Sequence, residues 1–252
     1  MRIRVLAAAA TGALALTALA VPAAQADGGT GDTRITKVVV DGDNKAAIGT
    51  GTPKTISVSV TATDNSGILG ADSFVLKGPG YGFESTGKPS CKKVNATTST
   101  CTGSVKIDPR TDYLGNTMAG TWYVDAWIDA KDGDFVWKAK AGSFKFQRAA
   151  ALTTNAAPEP VKKGKTLTVT GKLTRANWET LKYGAYSGQS VQLQYLKKGA
   201  KAYTKLKTVK TSSAGKLSTT VKATADGYYR YVFAGNSAAA AVTSGADFVD
   251  VK

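Results

Sequence analysis

Residues 55–67 are TISVSVTATDNSG, and this stretch decides the fold. From Thr55 to Thr63, apolar side chains alternate with hydroxyl side chains, which is the period of a β-strand that buries one face. Asp64-Asn65-Ser66-Gly67 then favours a turn, because short polar side chains bind their own backbone and glycine tolerates a positive φ. The stretch therefore predicts a half-buried strand that ends in a tight reversal of the chain.

The same two-residue period recurs along the chain, with turn signals between the segments. Asp132-Gly133 separates two such segments and is a strong signal for a hairpin. Only Ala176–Tyr183 is compatible with a short turn of helix. Many short strands with frequent turns are typical of β-sandwiches, so we predict an all-β fold. The further predicted strands are 73–77, 104–107, 121–129, 135–140, 166–174, 190–195, 217–221, 229–233 and 248–251.

Residues 1–26 have the composition of a secretory signal peptide. Two arginines provide a positive start, an apolar run follows from Val5 to Ala20, and Ala24-Gln25-Ala26 is a small-residue cleavage site. No later segment is apolar enough to span a bilayer. We therefore expect a secreted protein that begins at Asp27 and has no transmembrane segment after the signal peptide is removed.

Charge is unevenly distributed along the chain. Residues 27–148 carry 15 basic and 13 acidic side chains, whereas residues 149–252 carry 16 basic and 5 acidic ones. The change falls at Ala149-Ala150-Ala151, ahead of Pro158-Glu159-Pro160, and predicts an N-terminal domain over 27–148 and a basic C-terminal domain over 149–252. The positive charge favours an anionic polymer as partner, although lysines scattered along strands also serve solubility.

The chain contains no histidine, which excludes imidazole-based nucleophilic catalysis and histidine metal sites. Its two cysteines, Cys91 and Cys101, predict one disulfide, because an even pair is oxidised in an exported protein. Asp125 and Asp129 are paired carboxylates on one strand, but four residues along a strand span about 13 Å, which is too far for glycoside hydrolysis. We therefore expect no enzymatic activity.

Four aspartates in or beside the predicted hairpin are the candidate metal ligands: Asp125, Asp129, Asp132 and Asp134. Calcium prefers several carboxylate oxygens in one loop, and residues 129–134 offer three. Their spacing does not match an EF-hand, and Lys131 lies among them. We interpret the aspartates as turn residues that bind their own backbone, with calcium binding as the alternative and no other cofactor.

The predicted hairpin also carries aromatic residues on both faces. Trp122 shares a face with apolar residues and is expected in the core, whereas Tyr123 and Trp127 share the face of the aspartates. Exposed rings beside carboxylates are typical of sugar-binding sheets, which makes Tyr123 and Trp127 candidate ligand-binding residues. The alternative is that both rings cover the other sheet or the contact between domains.

Lysines surround two tyrosines of the C-terminal domain, Tyr195 and Tyr203, as a nucleic-acid-binding surface would require. Lysines on edge strands also prevent sheet-to-sheet aggregation, and we interpret them in that way. We expect no specific nucleic-acid partner and a monomeric protein.

Two segments carry a resemblance to a known family. Residues 58–68 resemble the strand and turn of bacterial immunoglobulin-like domains, and residues 214–217, 225–231 and 233–236 resemble their last three strands. Tyr229 lies where such a domain places its tyrosine corner, with Tyr231 at the core position that follows. The resemblance implies two immunoglobulin-like β-sandwiches in tandem.

The whole chain also resembles small secreted proteins of high-GC Gram-positive bacteria, most clearly over Leu152–Lys252 and its segment Val161–Gly171. Some members of that group are labelled calcium-binding. Since one fold hosts many roles, we keep three hypotheses. The first is a secreted, non-catalytic binding or structural module for anionic cell-wall polymer or polysaccharide at the cell envelope, and the second is an extracellular calcium-binding protein. The third, which we favour least, is an enzyme of unrecognised type.

Overall fold

The computed structural model describes residues 27–252, and this part of the chain is almost entirely β-structure. Its strands form four sheets, which pack in pairs as two β-sandwiches in tandem. The predicted all-β fold is confirmed. The predicted signal peptide lies outside the described residues. Within them, no helix is long and apolar enough to cross a bilayer.

The first sandwich contains ten strands and a short 3-10 turn at Asn116–Met118. The strands are β1 (Gly28–Thr30), β2 (Arg34–Val40), β3 (Lys45–Ile48), β4 (Lys54–Thr63), β5 (Ile68–Gly78), β6 (Tyr81–Glu84), β7 (Ser90–Lys93), β8 (Thr98–Ile107), β9 (Gly120–Ala130) and β10 (Phe135–Arg148). One sheet has the order β1-β10-β9-β5-β6, with β3 parallel to the end of β10, and the other has the order β2-β4-β8-β7.

The core of the first sandwich follows the alternation of β4. Its apolar face is completely buried against the other sheet, as the sequence predicts, whereas the hydroxyl face is not. Trp122 of β9 is also completely buried, and its indole N–H donates to the Met118 carbonyl at 2.7 Å. Burying each large apolar side chain stabilises the fold by about 1.5–3 kcal/mol. The buried residues of β4 are Ile56, Val58, Val60 and Ala62.

The second sandwich is built around one long central strand, β13, which pairs with four others. Its strands are β11 (Ala150–Leu152), β12 (Asn155–Ala157), β13 (Thr166–Asn177), β14 (Lys182–Ala185), β15 (Ser190–Lys197), β16 (Thr204–Lys210), β17 (Lys216–Lys222), β18 (Gly227–Phe233), β19 (Val242–Thr243) and β20 (Asp247–Val249). One sheet joins β11, β12, β14 and β17 to β13. The other has the order β16-β15-β18-β19, with β20 also on β18.

Tyrosines fasten the two sheets of the second sandwich. Tyr231 is completely buried and its hydroxyl donates to the Val169 carbonyl at 2.9 Å, which joins β18 to β13. Burial raises the pKa of Tyr231 to about 12, so the hydroxyl remains a donor over the physiological range. Tyr229 is buried against Tyr195, whose hydroxyl donates to the Ala225 carbonyl at 2.8 Å. The hydroxyl-to-backbone bond at this end therefore comes from Tyr195.

The structure corrects the expected helical turn and also defines which face each residue of the last strand occupies. Residues 176–183 are not a helical turn, because β13 continues to Asn177 and forms a hairpin with β14 in which Asn177 pairs with Lys182. In the last strand, Val249 is completely buried, whereas Phe248 packs on the outer face against Tyr228.

The two sandwiches are joined without a free linker. The Ala149 N–H donates to the Ile48 carbonyl, and the Ala149 carbonyl accepts from the Ala176 N–H, both at 2.8 Å. The preceding residue, Arg148, exchanges backbone hydrogen bonds with Ala238 and Ala240 at 3.0 Å. Both backbone groups of the connecting residue are thus held by neighbouring strands.

Trp178 of the second half is part of the first core. It is buried against Phe146 with ring centroids 5.2 Å apart, and its indole N–H donates to the Ile48 carbonyl at 3.1 Å. The β13–β14 hairpin therefore places the Trp178 side chain in the core of the first sandwich, across the junction near residue 149.

Candidate functional site

The structure separates the four predicted metal ligands. Asp125 is buried on the outer face of β9, where it accepts the Lys140 N–H at 2.9 Å and lies 3.4 Å from the Lys77 ammonium. Asp129 accepts the indole N–H of Trp127 at 2.8 Å. These two carboxylates therefore lie on the outer face of β9 and not in the β9–β10 turn.

Asp132 and Asp134 lie in the β9–β10 turn. The Asp134 N–H donates to the Asp132 carboxylate at 3.2 Å, which is the turn bond that the sequence predicts. The Asp134 carboxylate, however, joins two aspartates that sequence reasoning did not single out, Asp32 and Asp64. Each of the three offers an oxygen within 4.8 Å of the others. We call Asp32, Asp64 and Asp134 the aspartate cluster.

The cluster forms because three chain reversals meet at one end of the first sandwich. Asp32 follows β1, Asp64 follows β4, and Asp134 precedes β10. Gly31 makes the approach possible, because it has a φ of +65° and a Cβ at this position would lie 1.3 Å from Asp134 Oδ2. No spacing motif connects these residues, since their proximity depends on which turns share an end of the sheet.

The cluster brings three carboxylates together at a partly buried position. Asp64 is only 2% exposed. Burial acts to raise the pKa of Asp64, but hydrogen bonds from Ser66 and Thr33 outweigh it and hold that pKa below its ordinary value. Asp32 Oδ1 is buried and has no hydrogen-bond partner among residues 27–252. In the same part of the chain, no lysine or arginine forms an ion pair with the cluster. Three carboxylate oxygens in one place suit a hard divalent cation such as Ca²⁺.

The aromatic residues of the hairpin divide between the two faces of the sheet. Trp127 lies on the outer face, stacked on Phe135 at a centroid distance of 5.0 Å, and faces Trp137 across the strand pair. Tyr123 lies on the same face, with the Lys140 ammonium 5.0 Å from its ring centroid. One face of the Tyr123 ring is thus occupied, whereas Trp127 and Trp137 border a common pocket.

Lysines gather at the end of the second sandwich that lies farthest from the first. Four of them line one concavity of about 430 Å³, in which Asp226 is the one acidic side chain. Lys198 pairs with Asp226 at 3.5 Å, and Lys252 lies 3.9 Å from Asp250. Lys163 and Lys197 form no ion pair within the described residues. We call the four lysines of this concavity the lysine end: Lys163, Lys197, Lys198 and Lys252.

A second concavity of about 460 Å³ adjoins the lysine end, and Thr224 lines both. It lies at the open edge between β16 and β17 and contains Lys207 and Lys222 beside two tyrosines. The Lys207 ammonium donates to the Thr220 carbonyl at 2.6 Å, which bridges the two sheets. Positive charge therefore extends from the end of the sandwich along its open edge.

The predicted disulfide is confirmed. Cys91 and Cys101 face each other in the β7–β8 pair and are joined within the second sheet of the first sandwich. Cys101 is completely buried, so the bond fastens the edge strand β7 to the core.

No protein-family model matches the chain, and no curated protein sequence matches it. Among solved structures, it is similar to three N-terminal domains of the highly immunogenic outer capsid protein Hoc of bacteriophage RB49, with 10% identity, coverage of 87% of this chain and 70% of that one, and a TM-score of 0.31.

Two further solved structures are similar. A Corynebacterium diphtheriae protein named as membrane-anchored has 13% identity, coverage of 81% of this chain and 51% of that one, and a TM-score of 0.28. The ectodomain Ig1–Ig3 of mouse nectin-like molecule 4 has 12% identity, coverage of 87% and 63%, and a TM-score of 0.24. The chain thus spans about half of the corynebacterial protein. The class of fold is that of two β-sandwiches in tandem, which the strand pairing of the described residues defines.

Proposed function

We propose that this protein is a secreted, non-catalytic binding module of the cell envelope, which binds an anionic polymer through the lysine end. The observation that carries the proposal is the concavity in which lysines from three separate segments meet around a single aspartate. Lys198 and Lys252 pair with Asp226 and Asp250, and Lys163 and Lys197 form no ion pair within the described residues, so their ammonium ions remain to attract phosphate or carboxylate groups. Export is supported by the signal-like residues 1–26 and by the Cys91–Cys101 disulfide.

The charge balance favours the second sandwich as the location of the proposed binding. Residues 149–252 have 16 basic and 5 acidic side chains, whereas residues 27–148 are nearly balanced. The lysines are exposed, so their attraction for a polyanion is screened by salt with a Debye length of about 10 Å at 0.1 M. Binding should therefore weaken steeply as ionic strength rises and should not require a divalent cation.

The test is co-sedimentation with purified cell wall that carries phosphodiester polymer. We expect retention at low salt that falls with added sodium chloride, and a loss of about tenfold or more when the four lysines of the lysine end are changed to alanine. The matched control removes four exposed lysines of the first sandwich. If both variants lose retention equally, net charge rather than the lysine end is responsible and the proposal is wrong. The control lysines are Lys37, Lys92, Lys93 and Lys106.

A second candidate function is favoured by the aspartate cluster. The buried, unpartnered Asp32 Oδ1 beside two further carboxylates supports binding of a divalent cation, with calcium preferred for its oxygen ligands. The hydroxyl of Ser66, which donates to Asp64 at 2.6 Å, lies within the same end of the sandwich. A bound ion would join the three turns that carry the cluster.

Thermal unfolding tests this candidate. Saturating calcium at about 100 times its Kd would stabilise the folded state by about 2.7 kcal/mol, so the melting temperature should rise and chelator should reverse the rise. Asp32→Asn and Asp134→Asn should each abolish the calcium response. Asp132→Asn is the matched control, because Asp132 lies in the same turn outside the cluster. An unchanged melting temperature of the parent in calcium and in chelator would refute the site.

A further inference from the structure

We propose that the outer face of the β5–β9–β10 sheet is a binding groove for a neutral hexopyranose glycan. The groove lies on the first sandwich and shares no residue with the lysine end or the aspartate cluster. The Trp127–Trp137 pair provides the stacking surface, and Asp72 and Asp125 provide hydroxyl acceptors.

A bulge in β5 opens the groove. Ala71 pairs with Ile128 and Phe74 pairs with Ala126, so Asp72 and Ser73 together oppose the single residue Trp127. Bulges of this kind re-aim side chains and interrupt the regular surface of a sheet. The result is a pocket of about 190 Å³. Its volume is below the range of drug-sized sites and suits a single sugar ring.

The indole of Trp127 is held in place before any ligand arrives. Trp127 stacks on Phe135 with an interplanar angle of 5°, and its N–H is bound by Asp129. Trp137 lies opposite Trp127, and residues that oppose each other in a strand pair share a face. On the neighbouring strand β1, the residue opposite Trp137 is Gly28, which has no side chain to cover the indole. Fixed rings bind a ligand with little loss of side-chain entropy.

Carboxylates border the rings on the side of the bulge. Asp72 is exposed, and its only charged partner among the described residues is Lys88 at 2.8 Å. Asp125 is fixed by the Lys140 N–H and the Lys77 ammonium and keeps an edge in the pocket. Carboxylate oxygens accept hydroxyl protons strongly, which suits the hydroxyl-rich edge of a sugar ring.

The groove continues across β5 into a neighbouring concavity of about 300 Å³. Asp72 lines both, and the second also contains Asp129 and Leu69, which is 69% exposed. A chain of several sugar residues therefore fits better than a monosaccharide. Three carboxylates along the groove outnumber the two ammonium groups that pair with them, those of Lys77 and Lys88, so an anionic polysaccharide is disfavoured and a neutral one is favoured.

The probes for the test are cellohexaose and N-acetylchitohexaose, with oligogalacturonate as the anionic comparison. Calorimetry and tryptophan fluorescence of the full chain should show binding of at least one neutral hexaose that is insensitive to salt. In a full chain in which the four lysines of the lysine end are changed to alanine, oligogalacturonate should bind more weakly than that hexaose. Trp127→Ala and Trp137→Ala should each weaken binding by about tenfold. Asp72→Ala, at an exposed position that the fold does not need, should weaken binding by about threefold or more.

Tyr113→Ala is the matched control, because Tyr113 is 86% exposed and lies outside both concavities. It should bind as the parent does. Absence of binding for both neutral hexaoses would overturn the proposal, as would affinity unchanged in Trp127→Ala and Asp72→Ala. In the variant that lacks the four lysines of the lysine end, tighter binding of oligogalacturonate than of both neutral hexaoses would also overturn it, because the groove would then prefer an anionic glycan.

Discussion

Single residues at chain reversals set the geometry of the first sandwich. Gly31, Gly67 and Gly133 all have positive φ and lie in the turns that bring the aspartate cluster together. An L-residue in this conformation costs about 1–2 kcal/mol. At Gly31 the close approach of Asp134 adds a second requirement, the absence of a Cβ. Backbone conformation and carboxylate placement are thus determined by the same residue.

Gly31→Ala should therefore lower the free energy of unfolding by more than the backbone strain of a positive φ alone would, that is by about 2 kcal/mol or more. Gly42→Ala is the control, since Gly42 has a φ of +85° but nothing within 4 Å of a Cβ. The free energies of unfolding from urea titrations measure the difference. Equal losses in the two variants would show that the contact with Asp134 has no energetic weight.

Strands whose alternation is strict are predictable from sequence, and contacts between distant turns are not. Ile56 and Trp122 are buried as their patterns predict, because a half-buried strand fixes which face each side chain occupies. The local sequence does not single out Asp32 or Asp64, because an aspartate beside glycine or serine is ordinary in a turn. Their meeting with Asp134 depends on sheet topology, which no local pattern encodes.

At the scale of elements, the β13–β14 hairpin illustrates the same limit. Residues 176–183 lack a clear period, and the structure shows that the pairing of Asn177 with Lys182 determines their conformation. The hairpin places Trp178 in a row of rings that runs through Phe146 to Trp122. Tertiary contact across the junction decides the local structure here.

Trp178→Ala should cost about 3–5 kcal/mol of unfolding free energy, because it leaves a cavity in the first core and removes the donor to Ile48. Tyr183→Ala, on the exposed side of the same hairpin, should change stability by about 0.5 kcal/mol or less. Calorimetric unfolding of both variants checks the contrast. A small effect of Trp178→Ala would mean that the two cores are energetically separate.

At the scale of the whole molecule, the predicted domain boundary near Ala149 implies that each half can fold without the other. The second sandwich has its own buried cluster around Leu167, Leu193 and Tyr231. The first cluster, in contrast, includes Ala176 and Trp178 from beyond the boundary. The two halves therefore depend on each other unequally.

The fragment 149–252 should fold alone, whereas the fragment 27–148 should unfold at a lower temperature than the full chain. Trp178 is the only tryptophan of residues 149–252, so its fluorescence should shift to longer wavelength in the isolated fragment as the ring meets water. Thermal unfolding of both fragments provides the second measurement. A fragment 149–252 without a cooperative transition would contradict the boundary.

The hydrogen bonds at Ala149 also bear on how the protein transmits force between its two sandwiches. A load applied between the far ends of the two sandwiches must pass through the backbone bonds of Ala149 and Arg148 and through the wedge formed by Trp178. We therefore expect these contacts to oppose bending between the two sandwiches, so that a pull on one sandwich is transmitted to the other through the strands at the junction.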